Sequence, residues 1–336
     1  MDWRKLPKVE LHRHLDGSIR LQTIIDLAKK HNLDLGVRDS ELPNKVIIKE
    51  PMSSLKQVLD CFWTSQKVLC SYEAIKRVTF ENVEDAFFDG VKLVELRFAP
   101  VFIQKNKSIQ FDEIIEGVID GITQGMNKYD IQVGLIHILP RGLEFDPNIK
   151  ATQEIFRYQK SIHKNADRLV GVDLADPESE DSFSLYQDII QKSHQLGFGV
   201  TIHSGEDTTA AHVKRTLETY PASRIGHGIQ IAKDPEVLKL VIEKDVTLEV
   251  CPTSNWLTHC VKTLEDHPLK KLYQAGVKVT LSTDDPHIMG INLINEYEVA
   301  HSKIGMSTQE LIQMNRWALE KSFLPYDIKK SLNPLF

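Results

Sequence analysis

Two histidines one residue apart, His12 and His14, close the short apolar run in VELHRHLDGS (Val9–Ser18). Side chains at i and i+2 of a strand point the same way, so both imidazoles can reach one ion. Ionisable residues close three more apolar runs: His203 and Glu206 in HSGE, His227 in GHG, and Asp284 with Asp285 in STDDP. Each has an ordinary explanation when taken alone. A lone histidine is more often a hydrogen-bonded core residue, and Asp-Pro sequences favour turns. Four such endings in one chain are hard to obtain from turn preferences. Three imidazoles and a carboxylate suit Zn2+ with a position left for water. Iron, manganese or cobalt accept the same donors, whereas calcium and magnesium want more oxygens. An open position makes such a site catalytic in kind, because the ion lowers the pKa of its water toward about 7. The remaining groups then fall into the duties of base, orienting partner and acid.

These residues need a scaffold that brings strand ends together. Eight candidate strands run in order: Lys8–His14, Val91–Pro100, Ile131–Leu139, Leu169–Ala175, Phe198–Glu206, Ser223–Gly228, Val246–Pro252 and Val277–Pro286. Several are nearly continuous apolar runs, as expected where both faces are covered. Helical spacing fills most of the intervals, for example in Glu73–Gly90 and Asp112–Tyr129. Gly90, Gly197 and Gly276 stand just before strands, where a helix C-cap glycine belongs. The alternation predicts an α/β fold, a closed (β/α)8 TIM barrel, whose chemistry sits at the C-terminal strand ends. No phosphate-cradling G-x-G-x-x-G or G-x-x-x-x-G-K occurs. An insertion from Ile19 to Gly90 separates the first two strands. Within it, Ser53–Leu69 has helical periodicity and reads either as a packing helix or as a lid over the barrel mouth.

The chain has 336 residues, 41% hydrophobic and 26% charged, with a formal net charge of −6. No basic block suited to a phosphate backbone appears, so polymeric nucleic acid is not an expected partner. Four cysteines (Cys61, Cys70, Cys251, Cys260) form no C-x-x-C pair. Cys61 and Cys70 read as buried helix residues and Cys251 as a core thiol. The N-terminus carries no apolar stretch of signal-peptide length and no run reaches membrane-spanning length. The expectation is a reducing, cytoplasmic setting and one domain over residues 1–336.

PKVELHRHLDGSI, HSGE, RIGHG and STDDP, in this order, resemble the adenosine deaminases of the metal-dependent amidohydrolase superfamily. EAIKR (Glu73–Arg77), VELRFAP (Val94–Pro100), GVDLA (Gly171–Ala175) and EVCPTSN (Glu249–Asn255) extend the likeness over about the whole chain. The resemblance implies a hydrolase of purine metabolism, a (β/α)8 barrel with one catalytic Zn2+ held by His12, His14, His203 and Asp284. It implies a protonated Glu206 that donates to N1 of a purine, His227 that helps activate the water, and Asp285 that aims it at C6. His14, Asp16, Asp176 and Asp285 would face the substrate, Asp16 on the ribose 5′ side. The implied reaction converts adenosine, with 2′-deoxyadenosine, to inosine and ammonia.

The sequence departs from that pattern where the family usually has glycine after DLA. Here Asp176 and Pro177 follow, which puts the pocket shape in question. The segment Ile136–Glu144 also differs, and its His137 reads as a core residue rather than a ligand. The departure at Asp176 leaves aminodeoxyfutalosine, methylthioadenosine or adenine as alternative substrates. A non-catalytic purine-binding barrel is a further alternative, although it has no use for Glu206. A binuclear hydrolase with a carboxylated lysine is disfavoured, since LVGVDLA has no lysine.

Overall fold

The structure, a computed structural model, describes residues 2–52, 55–178 and 183–336. Among the described residues eight strands occur: β1 (Lys8–His14), β2 (Val91–Phe98), β3 (Gln132–Pro140), β4 (Leu169–Ala175), β5 (Gly199–Ser204), β6 (Arg224–His227), β7 (Thr247–Val250) and β8 (Lys278–Leu281). All neighbours are parallel and follow chain order from β1 to β8. The ring closes just beyond β8. The His14 N–H donates to Asp284 O at 2.8 Å, and the Asp284 N–H donates to His12 O at 3.0 Å. This is the predicted (β/α)8 barrel, and its closure leaves no sheet edge exposed.

The helices fill the intervals. The insertion after β1 carries α1 (Leu21–Lys30), α2 (Leu42–Val46), α3 (Leu55–Gln66) and α4 (Tyr72–Phe88). α5 (Pro100–Gln104) and α6 (Phe111–Lys128) follow β2; α7 (Phe145–Gln159) follows β3; α8 (Phe183–Gln195) follows β4; and α9 (Ala210–Thr219) follows β5. α10 (Pro235–Glu243) follows β6, and α11 (Pro252–Leu257) and α12 (Leu269–Gln274) follow β7. α13 (Leu293–Ser302), α14 (Thr308–Lys321) and α15 (Tyr326–Leu332) complete the described chain. Local signals set the starts. The Ser71 hydroxyl accepts from the Ala74 N–H, and Asp234 caps α10 ahead of Pro235 at its first turn. Gly90, Gly197 and Gly276 have φ of 81°, 91° and 91°, as helix-terminating glycines require.

Strand starts match the sequence reading closely, whereas five ends (β2, β5, β6, β7 and β8) stop short of it, two of them at site-bearing turns. Phe198–Glu206 and Val277–Pro286 end as strands at Ser204 and Leu281. The reason is local: Gly205 and Asp284 turn left-handed, with φ of 72° and 65°, and the polar residues stand in the turns beyond. β1 carries an extra residue against β2 between Glu10 and Arg13, a bulge of the kind that re-aims side chains. The barrel floor is plugged by Phe323. A Cβ at Gly199 would come within 2.2 Å of its ring, so only glycine fits there.

α3 occupies the segment expected to be helical, with Ser53 and Ser54 outside the described residues. Its Val58, Cys61 and Phe62 pack on Leu257 of α11 and on Ile288 and Met289 after β8. Cys61 is buried as expected. Cys70 is a correction: it is half-buried in the link between α3 and α4, because α3 ends at Gln66. Cys251 is a core thiol. No described helix is long and apolar enough to cross a membrane.

Candidate active site

The C-terminal ends of β1, β5, β6 and β8 bring His12, His14, His203, His227 and Asp284 together. The Nε2 atoms of His12 and His14 approach Asp284 Oδ1 at 3.0 and 3.2 Å. The ring centroids of His12 lie 4.7 Å from His203 and 4.9 Å from His227. His12, His203, His227 and Asp284 form the tightest group, with ligand atoms within 4.8 Å of one another. His14 stands on the open side and lines a cleft of about 750 Å³ above the cluster.

A layer of charge beneath the cluster fixes how these rings present themselves. His12 Nδ1 donates to Glu249 Oε2 at 2.9 Å, and His203 Nδ1 donates to Asp173 Oδ2 at 3.0 Å. Both carboxylates meet Arg97, whose Nη1 and Nη2 donate to Asp173 and Glu249 at 2.7 Å each. Arg224 reaches Glu249 Oε1 and Glu95 Oε2 at 2.6 Å. Burial opposes ionisation of Glu249, but Arg97 and Arg224 hold its carboxyl well below the usual range. His203 and Arg97 likewise hold Asp173 low. With Nδ1 carrying the proton, the Nε2 lone pairs of His12 and His203 face the cluster.

That arrangement fits a cation. His12 Nε2 is buried without a hydrogen-bond partner, its lone pair set against a carboxylate oxygen. Two acceptors so close repel unless a positive ion lies between them. Burial pushes His203 down to about 3, which keeps it neutral as a ligand must be.

His227 has the opposite tautomer. The Leu269 backbone N–H donates to His267 Nδ1 at 3.1 Å, so His267 carries its proton on Nε2. That proton goes to Asn255 Oδ1 at 3.2 Å. Asn255 Nδ2 in turn donates to His227 Nδ1 at 3.0 Å, leaving His227 protonated on Nε2. His227 thus offers an N–H to the cleft where His12 and His203 offer lone pairs. Burial keeps its ring neutral.

Glu206 stands across from the cluster. Its Oε1 accepts from Thr258 Oγ1 at 3.1 Å and Asn255 Nδ2 at 3.3 Å, and its Oε2 lies 3.5 Å from His227 Nε2. Burial pushes its carboxyl up to about 8, helped by the negative charges of Asp284, Glu178 and Asp207. A proton on Oε2 is the natural result, since Oε1 already accepts twice. The Glu178 carboxylate holds the loop by accepting from the backbone N–H of Gly205 and Glu206 at 2.7 and 2.8 Å.

The two adjacent aspartates differ. Positive charge beside Asp284, from protonated His12 and His14 or from a cation in the proton's place, holds its carboxyl well down against its burial, and Ser254 Oγ donates to its Oδ2 at 2.7 Å. Burial and the Asp284 charge push Asp285 well up. Asp285 is packed against the β1 turn: a Cβ at Gly17 would lie 1.8 Å from its Oδ1, so any side chain there must displace that carboxyl. Asp16, in the same turn, lines the cleft with Asp176. Asp176 adopts φ of 71°, the left-handed conformation that a glycine would take freely. Burial and the neighbouring Asp16 push its carboxyl up to about 6. Val58, Phe62, Phe102 and Met289 make the apolar wall of the cleft. His137 lies outside it, buried on Thr152 Oγ1 at 2.9 Å.

The sequence reading missed Glu95, Arg97, Asp173, Arg224 and Glu249 as site residues, and also Asn255 and Gln66. The first five did leave a signal: each is a charged residue inside a strand expected to be buried on both faces. Asn255 and Gln66 left none.

An adenosine deaminase family model matches residues 7–335. The chain belongs to the adenosine deaminase family. An adenosine deaminase from Shewanella loihica is 34% identical over 328 residues, covering 97% of both chains. One from Clostridium botulinum is 36% identical over 333 residues, covering 99% of this chain and 97% of its own. Among solved structures, an adenine deaminase from Arthrobacter aurescens shares the fold, with a TM-score of 0.88 at 23% identity and 98% of each chain covered. An Arabidopsis N6-mAMP deaminase aligns with a TM-score of 0.85 at 25% identity, covering 100% of this chain and 99% of its own. Members of the adenosine deaminase family are metal-dependent hydrolytic deaminases, and the buried histidine–aspartate cluster supplies donors that could hold the metal.

Proposed function

We propose that residues 1–336 act as one catalytic unit that deaminates adenosine and 2′-deoxyadenosine to inosine and ammonia. The metal is Zn2+, held by the Nε2 atoms of His12, His14 and His203 and by Asp284. The tautomers favour this set: His12 and His203 present lone pairs, whereas His227 presents an N–H and is no ligand. When bound, the ion supplies Lewis-acid activation of water at neutral pH.

The chain's own residues do the rest. The raised Glu206 carboxyl carries the reading, because a proton held near neutral pH opposite the cluster is what a 6-aminopurine needs at N1. Donation from Oε2 to N1 draws electron density from C6 and opens it to attack. The attacking water loses a proton to Asp285, which serves as a base in its ionised form. A cation held by Asp284 and the histidines would favour that form against the burial and the Asp284 charge that push the carboxyl up. His227 donates from Nε2 to the incoming oxygen and orients it. Asp285 then passes its proton to the 6-amino group, the C6–N bond breaks to release ammonia, and the C6 hydroxyl returns a proton to Glu206 as the 6-oxopurine forms. The apolar wall of Val58, Phe62 and Phe102 takes the purine face and excludes water. Asp16 accepts from the ribose 5′-hydroxyl, and the Asp176 backbone N–H meets N3.

Full-length curated relatives named adenosine deaminase favour the nucleoside over the free base or nucleotide named for the structural neighbours. The test is ultraviolet turnover of adenosine by zinc-loaded protein with Glu206→Gln beside it. Rapid loss of the adenosine spectrum, abolished in the variant, is expected. An unchanged spectrum with one bound zinc would refute the reading and turn attention to aminodeoxyfutalosine, methylthioadenosine, adenine or N6-methyl-AMP.

A further inference from the structure

Asp16 is 3% exposed and lines the cleft from the turn that follows β1. One side chain holds it. Gln66 Nε2 donates to Asp16 Oδ2 at 2.6 Å, and Gln66 is itself 2% exposed. Asp16 Oδ1 has no hydrogen-bond partner. A buried carboxylate with one oxygen satisfied and the other bare is an acceptor waiting for a donor. Gln66 is the last residue of α3, and the same helix supplies Val58 and Phe62 to the cleft wall. The wall that shelters the purine and the donor that steadies Asp16 therefore travel on one element.

We propose that Gln66 is a positioning residue for sugar recognition: it occupies Asp16 Oδ2 so that Oδ1 is aimed at the 5′-hydroxyl of the nucleoside. The inference rests on the adenosine reading above and on the role given there to Asp16. α3 then carries both the wall over the base and the donor that serves recognition of the sugar. A free base gains only the wall, whereas a nucleoside gains both wall and acceptor. The amide is suited to the task because its N–H2 donates to the carboxylate without adding charge to an already acidic pocket that holds Asp16, Asp176 and Asp285.

The test compares kcat/KM for adenosine and 5′-deoxyadenosine in zinc-loaded parent, Gln66→Met, Gln66→Glu, Asp16→Asn and the double variant Gln66→Met/Asp16→Asn. Gln66→Met keeps the reach of the side chain and removes the donor. The parent is expected to prefer adenosine. Gln66→Met should lose about tenfold on adenosine, mostly through KM, and under about twofold on 5′-deoxyadenosine. Gln66→Glu sets one carboxylate against another and should erase the preference while keeping a similar shape. The double variant should lose no more preference than Asp16→Asn alone. Equal losses on both substrates, with the preference intact, would assign Gln66 a packing role and overturn the inference. A parent active on both nucleosides without preference would overturn it through Asp16. A parent inactive on both would instead overturn the adenosine reading, and this inference with it.

Discussion

Replacing Glu249 with glutamine tests the charge layer under the histidine cluster. Glu249 Oε2 accepts from His12 Nδ1 at 2.9 Å and Arg97 Nη2 at 2.7 Å, and its Oε1 accepts from Thr201 Oγ1 at 3.1 Å and pairs with the Arg224 guanidinium, whose Nε lies 2.6 Å away. All four contacts need an acceptor. An amide brings a nitrogen to one side or the other, so donor must face donor at either pair. If the nitrogen turns toward His12, the imidazole loses the bond that keeps its proton on Nδ1 and its Nε2 lone pair in the cluster. Loss of such a partner weakens metal binding about 10–100-fold, or about 1.4–2.8 kcal/mol. The arginines keep Asp173 and Glu95 as partners, so they are weakened rather than stranded. Each charged hydrogen bond contributes about 1.5–3 kcal/mol, which places the loss of metal-free stability on the order of 3 kcal/mol. Chelator competition reads the zinc dissociation constant, and urea unfolding of the metal-free protein reads the stability. A dissociation constant within about twofold of the parent would refute the idea that this carboxylate sets the ligand tautomer.

Glu206→Gln should cut kcat by about 10²–10⁴-fold while one zinc per chain remains bound, read by steady-state turnover and metal analysis. The parent's kcat/KM should fall as pH rises through about 8, because Glu206 acts as the protonated acid and its raised carboxyl ionises there. A bound dication shifts this limb downward, and the residual rate of Glu206→Gln should lack it. Gly17→Ala should cost more than about tenfold in kcat with zinc retained, since the new methyl, 1.8 Å from Asp285 Oδ1, must displace that carboxyl. Asp176→Gly should raise stability by about 1 kcal/mol in denaturant unfolding, because glycine takes the left-handed φ of 71° without the clash that aspartate meets. Unchanged or lowered stability would show that the Asp176 side chain contributes more than its backbone strain costs.

Much of the barrel was legible. Runs such as LVGVDLA show no alternation because helices cover them outside and other strands face them inside, and the starts of β2, β5 and β8 follow the helix-capping glycines Gly90, Gly197 and Gly276. Residues His12, His14, His203, Glu206, His227, Asp284 and Asp285 were visible because an ionisable side chain ending an apolar run is rare. The structure brings all seven together, six of them lining one cleft and His12 buried beneath it. Strand ends were less legible, since Gly205 and Asp284 leave extended geometry before the polar letters stop. The tautomer relay from Leu269 through His267 and Asn255 was beyond reach of the sequence. It depends on which nitrogen meets which oxygen across 28 positions of chain. Gln66 was hidden for a similar reason, because its partner lies 50 residues away and a glutamine ending a helix carries no signal of its own.

The Arg97–Asp173–Glu249–Arg224–Glu95 lattice divides this protein into parts that can drift and a part that cannot. Changing Arg97 alone would take the shared cation from two buried carboxylates, leaving Asp173 with His203 and Glu249 with Arg224, His12 and Thr201. Breaking buried pairs in this way costs about 3–5 kcal/mol and would loosen His12 and His203 together. Every single step away from the lattice therefore leads downhill, and only joint replacement of several strands' residues would reach another solution. The cleft wall has no such charge lattice: Val58 and Phe62 come from α3, Phe102 from α5 and Asp176 from the turn after β4, and their side chains can be exchanged one at a time. A lineage built on this scaffold is free to try new substrates while its chemistry stays put.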